Sequence, residues 1–537
     1  MSSVNLPIFV GMTVVFVAIT LFLGYYGYKN TKTNQDYMLG SKKTSPVIIA
    51  LSYGATFLSA SAVIGFGGQA AVHGVSLMWL CFLNLAIGVI VAFLVFGRRT
   101  RRLGNKLHAS TFADLLGKVY KSRGIRLFTA VLIIIMMPIY CAAVLKGGVN
   151  SLHVITGLDY NMMLIVLSVV VAVYVVYGGI VAVMYNDALQ AVIMFAGMIV
   201  IFGVTVATVG TDGFQQLSDM AIIGTMAENG VLPGWNGWTT FADFGSAEWL
   251  LVVSTFLLGV GIGALTQPQL IVRFMSSKDD KSLNKSMLIG CIFILVIVGS
   301  AYTVGALSNV YFMDAHDGQT AFQYVEAGVD FIIPTYIIEV FHSVTFGDVF
   351  VSLFLLSLLC ASVSTISALM HTIGGAGGYD IFSIWRSKKE GRDVDSPNVN
   401  LNRIVTVVMM VVVVVYCYMM PSDIIAKATS VFMGVTASAL LPTYVQALYS
   451  KNPDKRAAIG SIAVGTVSYM LWALFINAGT SKFLPICRLL TGNSVLFDGL
   501  LMYVDPMMVA LPLSIIAMVI MRLVNRSQVP EAVAVPE

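Results

Sequence analysis

The sequence predicts an all-α integral membrane protein, and three observations predict it. Hydrophobic residues make up 58% of the 537 and charged residues 11%, against roughly 45–50% and about 25% in an ordinary soluble domain; mean hydropathy is +0.86. Apolar runs of about the 20 residues that a bilayer core asks of a helix recur along the whole chain. The basic residues collect in alternate gaps between those runs, as the positive-inside rule requires. Little sequence is left over for a soluble domain, and the net charge of +4 says little about partners beyond the lipid bilayer. No nucleic-acid partner is expected.

Thirteen runs qualify as spans: 5–27, 47–74, 76–97, 126–154, 161–180, 186–210, 248–273, 285–311, 346–384, 401–420, 423–449, 457–478 and 504–525. The first lacks a basic leading segment and an Ala-x-Ala cleavage site, so it reads as a retained span and not a signal peptide. The ninth is too long for one straight crossing; a span to about residue 370, a bend near 374–378 and a short cytoplasmic helix are expected. With the N-terminus outside, all but four of the 31 Lys and Arg (Lys146, Lys427, Lys482 and Arg488) fall in cytoplasmic loops, Arg273 among them. No Lys or Arg occurs from 147 to 272. N-out, C-in is therefore the predicted orientation. The two long outer loops, 211–246 and 312–334, are acidic and read as solvated surface or as a vestibule that attracts cations. Residues 111–120 read as an amphipathic interfacial helix, and 527–537 as a disordered tail. The six cysteines are scattered, without a CxxC pair or metal spacing, and read as buried apolar thiols.

Two spans have unusual middles. Residues 50–66, ALSYGATFLSASAVIGF, and 360–368, CASVSTISA, are rich in small and hydroxyl-bearing residues. Lipid offers a backbone no hydrogen-bond partner, so a loosened helix survives only where it lines a site. Two such stretches, about 300 residues apart, read as two walls of one mid-membrane site. A single Ser or Thr in a helix commonly bonds back to the carbonyl about four residues earlier. Adjacent Ser364 and Thr365 facing a second broken helix suit a hard cation, which takes hydroxyl and carbonyl oxygens; an unwound 55–59 segment would supply carbonyls without a fixed charge. A proton carrier would more naturally place a buried titratable group there.

Four motifs in order resemble the sodium/solute symporter family, which includes sodium-coupled carriers of proline, pantothenate, monocarboxylates, sialic acid and sugars. They are LGSKKTSPVIIALSYGATFLSAS (39–61), YGGIVAVMYNDALQ (177–190), TQPQLIVRFMSSKDDKSL (266–283) and ASVSTISAL (361–369). The resemblance covers about residues 5 to 450. It implies a LeuT-type five-plus-five inverted repeat: an extra N-terminal helix and loop over 1–46, a first repeat over 47–210, an extracellular loop over 211–247, the inverted repeat over 248–449, two further helices over 450–525 and a cytoplasmic tail over 526–537. It implies Na+ as the coupling ion, held by the carbonyls of Ala55, Leu58 and Ala361 and the hydroxyls of Ser364 and Thr365, with no organic cofactor. Asp187 reads either as a dipole-favoured residue at the start of the sixth span or, as the family implies, as a station on the sodium release route.

Solute is expected beside the breaks in the second and seventh spans. Ser59, Ser61 and Gly65 form one wall; Gly261, Gly263, Ala264, Thr266, Gln267 and Pro268 form the other. Tyr140 matches the substrate-facing tyrosine of proline carriers. Departures from the proline carriers, Ser61 in place of a tryptophan and Val260 and Ala264 in place of aromatics, leave a proline ring without its apolar packing and favour a small carboxylate-bearing solute of the monocarboxylate or pantothenate kind; an amino acid such as proline stays within the expected class. Lys146 reads as a partner for a carboxylate or as a snorkelling residue, and Lys427 as snorkelling. The expected function is a non-enzymatic, plasma-membrane, sodium-coupled symporter working by alternating access on a small-molecule solute, with a monomer sufficient. A proton-coupled carrier of the same fold, a non-transporting sensor or channel, and a membrane-embedded enzyme are the alternatives; for the last, the six His form no cluster.

Overall fold

The computed structural model describes residues 5–40, 44–342, 346–390, 398–420, 425–483 and 485–526. The tail from 527 and the basic residues Lys42, Lys43 and Arg392 of the orientation count lie outside them. The described residues are helical and contain no strand. Eleven stretches among them are long and apolar enough to cross a membrane.

The chain opens with α1 (Leu6–Asn30), which packs along α7. The next helix, α2 (Pro46–Phe57), starts cleanly: Pro46 supplies a preset φ at a position with no hydrogen-bond duty, and the Ser45 hydroxyl accepts from the Val47 N–H. It stops at Leu58, which leaves helical geometry at φ −94° and ψ 77°. Ser59 then acts as a cap for the continuation, its hydroxyl accepting from the Ser61 N–H. After a π-helical turn (Ser61–Gly65) the chain runs on as α3 (Phe66–His73). The loosened middle expected of the second span is thus a real break over Leu58 and Ser59.

Gly74 turns the chain into α4 (78–106). Its φ of +81° favours glycine, and a Cβ there would sit 2.1 Å from the Trp238 carbonyl oxygen. The helix expected over 111–120 exists as α5 (Phe112–Val119), capped by Thr111. It is largely buried against the protein, and Asp114 holds Lys118 at 2.9 Å and Arg126 at 3.2 Å. Next come α6 (Arg123–Thr156) and α7 (Tyr160–Val209). A kink at Gly179, φ +58°, divides α7, and a Cβ there would meet the Tyr37 ring at 2.7 Å. The sixth crossing therefore starts at about residue 180, not 186. Asp187 lies two turns inside it, and the helix-start reading of Asp187 is corrected.

The seventh crossing is broken like the second. The helix over Ala247–Thr266, α8, ends in an extended Gln267, and Pro268 starts α9 (Pro268–Ser276). Then follow α10 (Asp280–Ala315), α11 (Gly347–Gly375), α12 (Val399–Met419), α13 (Ile425–Tyr449), α14 (Lys455–Phe475) and α15 (Pro506–Arg526). At 374–378 the predicted bend is a change of register: α11 passes into a π turn (Ala376–Ile381) and on into Phe382–Glu390 without stopping. Buried almost throughout, α11 packs against α7, α6 and α2. The pair α14 and α15 packs on α13 and carries many lipid-type side chains on its outer faces. Loop 211–246 is pinned to the outer break arm, Val75 N–H to the Trp238 carbonyl at 2.7 Å and the Trp238 indole to the Ala71 carbonyl at 3.0 Å.

Candidate functional site at the two helix breaks

The break in α2 lies against the middle of α11. The Ser364 hydroxyl reaches the Ala55 carbonyl at 3.0 Å and the Ala361 carbonyl at 3.2 Å. The Thr365 hydroxyl reaches the Thr56 carbonyl at 3.3 Å. These carbonyls belong to the last turn of α2, where the helix can no longer supply N–H partners. Leu58 is part of the same break; the Ala62 N–H that a continuous helix would direct to its carbonyl bonds to Ser59 instead. Of the five residues expected to hold the ion, Ser364 bonds to Ala55 and Ala361, Thr365 bonds to Thr56 beside Ala55, and all five are buried. Among the described residues no group of three His, Cys, Asp or Glu side chains converges. The donors at the break are neutral oxygens, which suit a hard monovalent cation.

One turn below lies a buried ion pair. Arg273 Nη2 and Asp187 Oδ2 are 2.8 Å apart, and the two side chains are 1% and 0% exposed. The same carboxylate oxygen accepts from Ser52 at 2.7 Å and Thr56 at 3.2 Å, while Ser367 approaches the other at 3.4 Å. Arg273 also bonds Ser52 through Nε at 3.0 Å, Thr56 through Nη2 at 2.6 Å, and the Gln269 carbonyl through Nη1. Counted from the sequence as a loop charge, Arg273 is instead fully interior. A signal was present: a single acid at membrane depth needs a partner, and the 266–283 motif contains one.

The solute residues also meet. Tyr140 donates to the Ser59 hydroxyl at 3.2 Å. Ser61 accepts from Thr429 at 2.8 Å. Gln267 donates to the Gly263 carbonyl at 2.9 Å and to Thr436 at 3.1 Å. Gly65 and Gly263 pass close to α13, their Cβ positions lying 3.2 Å from the Ala426 nitrogen and 2.5 Å from the Met433 Cβ; Ala264 is buried beside them. The sequence reading missed α13 as a wall of this cluster: Thr429, Thr436 and Phe432, whose ring stacks on Tyr140 at 5.4 Å. A signal was present for the threonines: with Thr429, Ser430, Thr436 and Ser438 this span is small and hydroxyl-rich like the other two. Lys146 faces away, donating to the Cys417 carbonyl at 3.2 Å and to that of Met420 at the C-terminal end of α12. There it caps a helix end with favourable charge, which corrects both the substrate and the snorkelling readings.

Comparison with known proteins agrees with this geometry. The model of the sodium:solute symporter family matches residues 37–465. This chain belongs to the sodium:solute symporter family. Among relatives in the family, the osmoregulated proline transporter OpuE of Bacillus subtilis is 26% identical over 494 residues, covering 91% of this chain and 92% of that protein. The sodium/proline symporter 2 of Staphylococcus saprophyticus is 24% identical over 471 residues, covering 87% and 86%. A solved structure of a Na+-coupled sialic acid symporter, substrate-bound and outward-open, superposes with a TM-score of 0.72 at 16% identity over 99% of both chains. The sodium:solute symporter chain described here is accordingly a multi-pass plasma-membrane transporter of the LeuT-type fold, and sodium-coupled solute symport is its activity.

Proposed function

We propose that this protein imports a small carboxylate-bearing organic solute together with Na+ by alternating access around the two helix breaks. The carrying observation is the convergence of the Ala55 and Ala361 carbonyls on the Ser364 hydroxyl, at the same helix break that carries the neutral Ser59–Ser61–Tyr140–Thr429 cluster. Ala55, Leu58, Ala361, Ser364 and Thr365 hold the ion, and Asp187 lies on its way out. Ser59, Ser61, Gly65, Tyr140, Gly263, Ala264 and Gln267 hold the solute. Their polar atoms are uncharged, so a carboxylate is met by hydroxyl and amide donors and not by a fixed positive charge. The bends at Gly74 and Gly179 divide two of the eleven apolar stretches, which supports thirteen crossings. Repeats over 47–210 and 248–449, and an N-out, C-in orientation from the basic loops, complete the reading.

Proline is the second reading. The relatives named above carry proline, and Phe432 stacked on Tyr140 supplies an apolar wall of the kind a pyrrolidine ring needs. The deciding experiment is uptake in proteoliposomes under an inward sodium gradient, with labelled proline, pyruvate, propionate, pantothenate, sialic acid and a sugar. Accumulation of one solute, lost when K+ replaces Na+, is the expected result. Accumulation driven by a proton gradient without sodium would overturn the ion assignment.

A further inference from the structure

The Arg273–Asp187 pair is more than a neutralised charge. Arg273 stands on α9 and Asp187 on α7, and the guanidinium simultaneously holds Ser52 and Thr56 of α2. Both inner halves of the broken helices are therefore tied, through one side chain, to the helix beside them. The contacts divide unequally. Swinging α2 and α9 away from α7 breaks the three bonds to the Asp187 Oδ2 oxygen and leaves the bonds of Arg273 to Ser52, Thr56 and Gln269 intact. Arg273 can thus travel with the moving halves while Asp187 stays. Thr56 joins this hub to the proposed ion site: its hydroxyl lies in the hub, and its carbonyl accepts from Thr365.

Resting on the sodium-coupled reading, we propose that Arg273 is a built-in latch whose hold on Asp187 depends on the ion. It is a positioning residue that latches α2 and α9 onto Asp187 in the closed state and releases Asp187 when the site opens to the cytoplasm. The ion at Ser364 and Thr365 orders the Thr56 backbone and so tightens the latch; loss of the ion loosens it. The bond pattern has the chemistry for this. A guanidinium is permanently charged and presents a planar fork that can serve several acceptors at once, and its bonds to an ionised acceptor are of the strong, charge-assisted kind. Val272, the neighbour of Arg273, lines a small cavity with Met38, Thr372, Gly375 and Asp380 and is itself buried. It becomes accessible only if the inner halves move.

The test is labelling of a Val272→Cys variant in inside-out membrane vesicles with a membrane-impermeant maleimide, read at position 272 by mass spectrometry so that the six native thiols do not interfere. No transported solute is needed, so a failed uptake screen leaves the result interpretable. Adding Arg273→Gln should speed labelling by about tenfold or more, the scale expected when a charge-assisted bond is lost from one of two states. It should also abolish protection by Na+, whereas Arg273→Lys, which keeps the charge, should restore part of that protection. Faster labelling in the Gln variant combined with no effect of Na+ on the parent would uphold the latch and refute the ion assignment instead. Labelling of the Gln variant at the parent rate, with and without Na+, would overturn the latch. If Arg273→Gln alone does not fold, Asp187→Asn with Arg273→Gln leaves no unpaired buried charge and carries the same comparison.

Discussion

Removing the hydroxyls of Ser364 and Thr365 is the perturbation that tests the ion site most directly. Ser364 satisfies the Ala55 and Ala361 carbonyls and Thr365 satisfies that of Thr56. Ala361 lies inside α11 and keeps its helical partner without Ser364, so Ser364→Ala exposes one unsatisfied carbonyl, worth about 1 kcal/mol of stability. The cost to ion binding is larger. Each oxygen facing a full charge contributes roughly 1.5–3 kcal/mol, which at 1.4 kcal/mol per tenfold predicts about a 10- to 100-fold rise in the Na+ concentration for half-maximal uptake from either Ala substitution. The double variant should exceed either single one but fall short of their sum, because the two hydroxyls serve one ion from neighbouring positions. Thr365→Ser keeps the oxygen and should stay near the parent value. The assay is solute uptake in proteoliposomes titrated with Na+ at constant ionic strength, with thermal unfolding of the purified protein as the folding control. A folded Ser364→Ala, Thr365→Ala protein with the parent's sodium dependence would refute the site.

Three further perturbations separate solute, stability and helix-end roles. Tyr140→Phe loses the 3.2 Å bond to Ser59, about 1 kcal/mol, and should raise the solute KM severalfold while leaving the sodium half-saturation nearly unchanged in the same uptake assay. Lys146→Met removes the cap on α12 and should lower the thermal midpoint with solute KM unaltered; a large KM increase would restore Lys146 to the substrate site. Gly148→Ala puts a Cβ 2.1 Å from the Ser362 hydroxyl oxygen, whereas Gly203→Ala meets nothing within 4 Å. The first should destabilise by roughly 1–3 kcal/mol through overpacking of α6 on α11 and the second should not, as measured by the unfolding midpoints of the two purified variants.

The sequence was most readable where lipid imposes rules. Apolar length located the long helices, and small, hydroxyl-rich middles located the two stretches that meet at the α2 break, because only a site-lining span tolerates them. Gln267–Pro268 located the second break for a local reason, the ring of Pro268 and its missing N–H. Errors arose where tertiary partners decide. Asp187 and Arg273 each have an ordinary local reading, a helix start and a loop charge, and only their 2.8 Å approach across 86 residues of chain makes them a unit. Lys146 was ambiguous because its acceptors belong to α12, more than 270 residues away. In α13 the hydroxyls of Thr429, Ser430, Thr436 and Ser438 carried the same signal as the other two spans, whereas Phe432 has no local feature that sets it apart from a packing residue. The start of the sixth span was placed at 186, about six residues late, because the Gly179 kink answers to the Tyr37 ring pressed against it and not to the local apolar pattern.

Ion and solute share one short piece of backbone in the proposed site, and this makes coupling a consequence of geometry. Ala55 and Thr56 present carbonyls to the α11 hydroxyls, and three residues on Ser59 presents its hydroxyl to Tyr140. Ordering the break from either side reduces the conformational cost of ordering it from the other. By linkage, whatever factor Na+ adds to solute affinity the solute must return to Na+ affinity. The outer arms carry a matching tie: His73 at the end of α3 meets Glu248 at the start of α8 at 2.5 Å, with both side chains buried. Each pair of half-helices is therefore held together by a buried pair of titratable or charged groups, His73–Glu248 on one side and the Arg273 hub on the other. Only the Arg273 hub also grips a helix outside the broken pair, through Asp187 on α7. That asymmetry places the proposed ion-sensitive restraint on the Arg273 side of the site, joined to it through the Thr56 backbone.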